Sequence, residues 1–421
     1  MSFDWQTEET VHWSARPQGE PKPEPPPKRR RWRWGLLLLL LLLVGGAVGV
    51  FWLLQERVET ATTDVTGDVL ASHRLIATAA ANKDAELVAT FLSGRNRAWS
   101  EAIERTVSAG DYQSRASFGL TWLPSDPATA VISATLNPQF NEAEVVTEQV
   151  YAYPIGNGLT ETMRLRQTAV YRSGPDRWLL APPDANFWGE TKTKQGFYLT
   201  LRYPERDEAL AQRLALDMDS ALAALCANPA FTCPDGLHVQ VEFSPDPATL
   251  TADFATAVFV EGGRLFRLPT PTLAGIPQDE AGYQTMARGY ATQIVLPVMR
   301  QLAGIVPGEN GVFAQAWLDW HLARLGLRPY PLTAADRVRL VADNITLAGG
   351  AALSGLPDEM APLAYALIAF LLQEARVPPQ VLLQPLAAGQ TDSYEGWLQT
   401  MVDGRVPAEE LETRWQQFLE K

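Results

Sequence analysis

Apolar positions in this chain first run without interruption, then recur every three or four residues, then alternate, and finally return to the helical period. The uninterrupted stretch is residues 36–54, which carries no charge and opens on eight consecutive leucines. At about 1.5 Å rise per residue it matches a hydrocarbon layer of roughly 30 Å and predicts a transmembrane helix. A cleaved secretory signal is the competing reading. The 35 residues before the run, and a length beyond the usual h-region of about 7–15 residues, favour a retained anchor.

From residue 58 to about 108 the helical period returns. Val65, Val69, Leu70 and His73, then Leu87, Val88, Phe91 and Leu92, then Trp99, Ile103 and Val107 predict several helices. Beyond Tyr112, alternation in SFGLTWL, TAVISATL, EVVTEQVYAY, TMRLRQTAVYR and RWLLA predicts strands, with SGPD as the turn between the last two. Helices followed by an antiparallel sheet give a first α+β domain over 58–190. A second domain, 194–421, opens with the strand GFYLTLRY, a long amphipathic helix over 205–225, the strand LHVQVEF and a hairpin joining TAVFVEG to RLFRL through Gly262-Gly263. Helices are predicted over 279–302, 313–325, 334–346, 358–374, 379–387, 394–402 and 407–419, several with proline near the first turn.

Charge gives this pattern a direction. Lys28, Arg29, Arg30, Arg31 and Arg33 crowd the amino side of the apolar run, while its carboxyl side has Arg57 between Glu56 and Glu59. The positive-inside rule then puts residues 1–35 in the cytoplasm and everything after the run outside, as a single-pass cell-membrane protein. Residues 1–35 are proline-rich and predict a disordered tail. Beyond residue 35 the net charge is −15, which argues against nucleic acid as a partner. Cys226 and Cys233, in CANPAFTC, are the only cysteines. An oxidising compartment favours a local disulfide over two buried thiols. In the membrane run, Gly45 and Gly49 form a small-xxx-small pair open to homodimer packing, although glycine is common in such helices anyway.

The closing hairpin LRQTAVYRSGPDRWLLAPP, following helices, resembles the NTF2-like cone-shaped α+β fold. In such a cone Trp99, Trp122, Trp178 and Trp188 either line a ligand pocket or fill the core. Further on, AQAWLDWHLARLGL looks like the AWLxEGLAxY segment of zincin-type metallopeptidases, and ALIAFLLQEARVPPQVLLQPLAAGQ looks like the start of their helical tail. Together with the strand, long helix, strand and hairpin before them, these segments resemble the peptidase MA clan, gluzincin type, over 197–421. The resemblance implies a mixed sheet followed by a mainly helical half.

That family's chemistry needs His-Glu-x-x-His on one helix, so that ligands at i and i+4 hold zinc while the glutamate activates water. Aligned on ARGYATQIV, Gly289 and Gln293 stand at the histidine positions, Tyr290 at the general base, and Trp320 at the third ligand. His73, His238 and His321, outside the tail, are not paired at helical spacing, and neither a G-x-S-x-G elbow nor a P-loop occurs. His321 and Asp319, two apart, face different sides of a helix and predict a surface or groove histidine. The resemblance therefore implies a metallopeptidase-like domain without catalytic residues, metal or cofactor, a pseudoenzyme.

The expected function is peptide or envelope-protein binding in the reused cleft, bordered by Val258, Leu265, Phe266, Asp319 and His321, because strand addition needs only free backbone groups. Two competitors remain: an active hydrolase with another site, and a scaffold that only assembles envelope proteins.

Overall fold

The computed structural model describes residues 29–126, 130–251, 258–260, 263–305, 311–343, 345–347, 357–382, 398, 401–402 and 405–421. The expected tail up to residue 28, Gly262, the side chain of Val258 and most of the helices expected over 379–387 and 394–402 lie outside the described residues. The chain divides into two units, Met1–Ala61 and Thr62–Lys421.

Among the described residues one helix, α1 (Arg29–Ala81), is long and apolar enough to cross a membrane by length and composition. It begins inside the basic cluster, before the predicted start, and continues through residues expected to form a separate helix. The reason is local: after the apolar run only a lone glycine, Gly67, and no proline interrupts the helical period. It ends where Lys83 adopts φ 60°. Helices α2 (Ala85–Ala89) and α3 (Arg97–Ala109) follow, their first turns capped by Asp84 and Asn96 side chains that accept from Leu87 and Trp99 backbone N–H groups.

The first sheet contains β1 (Thr121–Leu123), β2 (Val131–Leu136), β3 (Glu142–Gly156), β4 (Leu159–Ser173) and β5 (Trp178–Leu180). Strands β3 and β4 form a long antiparallel ribbon closed at Asn157-Gly158, both with positive φ, as a tight hairpin requires. After the one-turn helix α4 (Ala185–Trp188), β6 (Thr191–Gln195), β7 (Leu199–Pro204), β8 (Val239–Ser244), β9 (Val258–Val260) and β10 (Gly263–Pro269) make a second sheet in the order β6-β7-β8-β10-β9. The β7, β8 and β10 pairs are parallel and both edges antiparallel. The crossover between β7 and β8 is α5 (Glu208–Ala227).

A turn of helix, α6 (Pro271–Ala274), leads to β11 (Ile276–Pro277), which returns to pair with β4 of the first sheet. Helices α7 (Glu280–Leu302), α8 (Gly311–Arg324), α9 (Ala334–Ala342), α10 (Pro357–Gln373) and α11 (Ala408–Glu420) complete the chain. The boundary expected between residues 190 and 194 separates two sheets but not two cores. Phe118, Tyr151 and Leu165 belong to the same buried cluster as Leu201, Tyr290 and Trp317. A smaller cluster joins Val69, Ile76 and Ile103 to Val145 and Tyr171 under the first sheet. The fold is thus mixed α+β, with a mixed second sheet and a mainly helical carboxyl half.

Candidate functional site

Helix α7 carries the positions that the peptidase resemblance assigns to zinc. Its N-cap Asp279 accepts from Gly282 N at 2.7 Å, and Met286, Ala287, Gly289, Tyr290, Ala291, Gln293 and Ile294 are all buried while Gln284 and Arg288 are exposed, so the positions assigned to zinc do not open to solvent. A β-carbon at Gly289 would lie 2.9 Å from Cδ1 and 3.1 Å from the carbonyl oxygen of Phe118. Backbone on one side of that contact cannot rotate away, so glycine is required by close approach. Tyr290 is fully buried, donates its hydroxyl to Pro269 O at 2.9 Å, and meets the Phe118 ring edge to face. Burial drives its phenol well above the usual range. Gln293 is buried with Nε2 unpartnered.

Of the residues expected to border a cleft, Leu265, Phe266, Asp319 and His321 have described side chains. Phe266, Asp319 and His321 are buried and Leu265 is half-buried. Asp319 accepts from Gln315 Nε2 (3.0 Å), Tyr365 Oη (3.1 Å) and Arg328 Nη1 (3.3 Å). Trp320 is half-buried against Tyr330, 5.3 Å between ring centroids. The expectation of a surface or groove histidine at 321 is corrected. The ring is 3 % exposed and sits 4.3 Å from Trp317 and 5.1 Å from Phe231, because the 226–233 loop folds over α8.

That loop is closed by the Cys226–Cys233 disulfide, as expected. Within it, Asn228 Oδ1 accepts from Ala230 N, which fixes the amide so that Nδ2 donates to His321 Nδ1 at 3.3 Å. The neutral ring then carries its proton on Nε2, which is buried and unpartnered. Desolvation, and secondarily Arg324, lowers the His321 pKa to about 4.

A different concavity is present. A cavity of about 100 Å³ lies between α1 and α3 on one side and the β3–β4 ribbon on the other, with Pro245, Pro247, Leu250, Thr272 and Leu273 closing it from the second half of the chain. Trp99 and Trp188 line it; Trp178 is core, and Trp122 donates Nε1 to Gln149, a lining residue. His73 bonds Tyr171 Oη at 2.8 Å, and burial lowers its pKa to about 4. Arg115, 3 % exposed, gives Nε to Ala274 O, Nη1 to Tyr112 O and Ser114 O, and Nη2 to Leu273 O. Gln113 is 8 % exposed, and its Oε1 is buried without a partner. The tryptophans were visible to sequence reasoning, whereas Gln113 and Arg115 sit in an irregular stretch that carries no periodic signal.

Among the described residues, no group of three or more His, Cys, Asp or Glu side chains is placed to hold a metal ion. No family model, curated protein or solved structure matches this chain.

Proposed function

We propose that this chain is a single-pass membrane protein whose extracytoplasmic part works by binding rather than by hydrolysis. In this reading a peptidase MA-like half without zinc chemistry engages an extended segment of an envelope protein. One observation carries it: the helix face that would hold zinc is packed solid, with Phe118 against the Gly289 α-carbon and the Tyr290 hydroxyl spent on Pro269. A histidine at 289 has no space, so the missing ligands belong to the packing of the fold. Capture would use the β9 edge, which ends the second sheet, since strand addition draws on unpaired backbone groups and tolerates a filled helix face below.

A scaffold that assembles envelope proteins without peptide capture is the second reading, favoured by the same filling of the α7 face. The test uses the full-length chain purified without chelator. Expected are far less than one zinc per chain, no chelator-sensitive peptide hydrolysis, and saturable peptide binding that proline at Val258, Phe259 or Val260 abolishes. Stoichiometric zinc with chelator-sensitive turnover overturns the reading. Peptide binding indifferent to proline in β9 removes the edge-strand mechanism and leaves the scaffold. Topology is tested separately: a reporter active only in the cytoplasm should work fused before Trp32 and fail fused after Lys421.

A further inference from the structure

The cavity under the first sheet shares no residue with β9 or β10, so its ligand is a question apart from peptide capture. Size comes first. At about 100 Å³ it is comparable to dry protein cavities of roughly 150 Å³ that admit benzene, so one six-membered ring fills it. Shape follows from the lining, where Trp99, Tyr112, Phe187 and Trp188 offer aromatic surfaces to a planar guest.

Charge narrows the class. Among the described residues no Asp or Glu lines the cavity, so a cationic guest would be buried without a counter-ion. Arg115, the one cation among the described lining residues, already serves four carbonyl oxygens and has little left for a carboxylate. Burial keeps His73 neutral at physiological pH, with Nδ1 engaged by Tyr171. An uncharged guest meets no such penalty.

Polarity is narrowed by the lining glutamines. Of the three lining glutamines, Gln149 Oε1 accepts from Trp122 and Gln167 Nε2 donates to Tyr151 Oη, whereas Gln113 Oε1 is buried and unsatisfied. Buried acceptors are nearly always paired, and an orphan one favours a guest that brings a donor. We propose that this cavity binds a small, uncharged, single-ring aromatic molecule carrying one hydroxyl or ring N–H, which donates to Oε1 of Gln113 once that closed-off amide turns toward the cavity, while its ring lies among Trp99, Tyr112 and Trp188.

Phenol is the probe, with toluene (same ring, no donor), anisole (oxygen, no donor) and benzoate (charged) as comparisons. Each is titrated into the full-length protein in lipid nanodiscs, followed by tryptophan fluorescence and saturation-transfer NMR, with empty nanodiscs subtracted. Expected is saturable one-to-one binding of phenol, about tenfold tighter than toluene, anisole or benzoate, the worth of one buried hydrogen bond. Gln113→Leu should weaken phenol about tenfold and leave toluene as tight or tighter. A thermal melt checks that the variant folds, and Gln113→Glu, which keeps an acceptor oxygen at this position, should bind phenol more tightly than toluene. The proposal is overturned if phenol binds no tighter than toluene, if Gln113→Leu leaves phenol unchanged, or if no ring compound saturates.

Discussion

Phe118 occupies the space that a β-carbon on Gly289 would need, its Cδ1 lying 2.9 Å from that position. The contact joins the 3₁₀ turn Ala116–Phe118, just before the first sheet, to the middle of α7 in the second half of the chain. A position that the peptidase resemblance assigns to a metal ligand is thereby part of the packing between the chain's halves.

The first prediction is direct. Gly289→Ala should destabilise by about 1–2 kcal/mol, since overpacking costs about 1–3 kcal/mol while alanine returns up to about 1 kcal/mol of helix propensity. Phe118→Ala in the same chain should recover part of the loss. Chemical denaturation of the four members of that cycle reads the coupling. A stabilising Gly289→Ala would mean that Phe118 gives way freely.

A second prediction concerns acid. His321 has a folded pKa of about 4 against an ordinary value of 6.5. Between those values the unfolded chain holds the extra proton, so stability is full above about pH 6.5 and is lost as pH falls toward 4, by up to about 1.4 kcal/mol per unit. His73 adds a loss of the same sign. Arg324 raises the cost of charging His321, and Asp319, already shared by Gln315, Arg328 and Tyr365, is not positioned as its partner. Replacing His321 by phenylalanine should flatten the pH 4–6.5 slope measured by urea unfolding. An unchanged slope refutes the buried neutral ring.

The third prediction ties the disulfide to the same ring. Reducing Cys226–Cys233 removes the constraint on a short loop, worth about 2–3 kcal/mol, and frees Asn228 and Phe231 from their contacts with His321 and Trp317. The His321 pKa followed by NMR should therefore rise toward 6.5 on reduction. Material isolated without reductant should show no reactive thiol after denaturation until reductant is added. A His321 pKa that ignores reduction would mean that the loop stays docked without its bridge.

How much of this was legible in the sequence follows from where periodicity is strong. The β3–β4 ribbon alternates buried and half-buried positions along most of its first strand, and Asn157-Gly158 marks its turn, so both strands could be read directly. The parallel β7–α5–β8 unit was equally visible. Strand β6 was not: TKTKQ has no apolar face, because it is an edge strand whose lysines discourage further pairing. Nor was β11, two residues whose pairing with Leu165 and Arg166 is decided by chain return. The sequence alone could not reveal that Phe118, distant in the chain, fills the space beside Gly289, because only tertiary contact brings the two together.

The last prediction tests what holds Phe118 there. Arg115 reaches across the fold to Leu273 and Ala274 while also binding Tyr112 O and Ser114 O, and its own carbonyl accepts from Phe118 N at 2.9 Å and Leu120 N at 3.1 Å. One buried guanidinium thus clamps the turn bearing Phe118 to α6, which leads through β11 into α7. Lysine preserves the charge but offers three donors from a single nitrogen and cannot reproduce a planar fork, so it leaves carbonyls unpaired. Arg115→Lys should cost about 2–4 kcal/mol. It should also loosen the approach of Phe118 to α7, and so shrink the penalty of Gly289→Ala. In the double-mutant cycle of Arg115→Lys with Gly289→Ala, the two losses should fall short of additivity by at least about 0.5 kcal/mol, read from urea unfolding. Strict additivity would show that Phe118 is held against Gly289 by its own packing with Tyr290 and that the arginine clamp acts elsewhere.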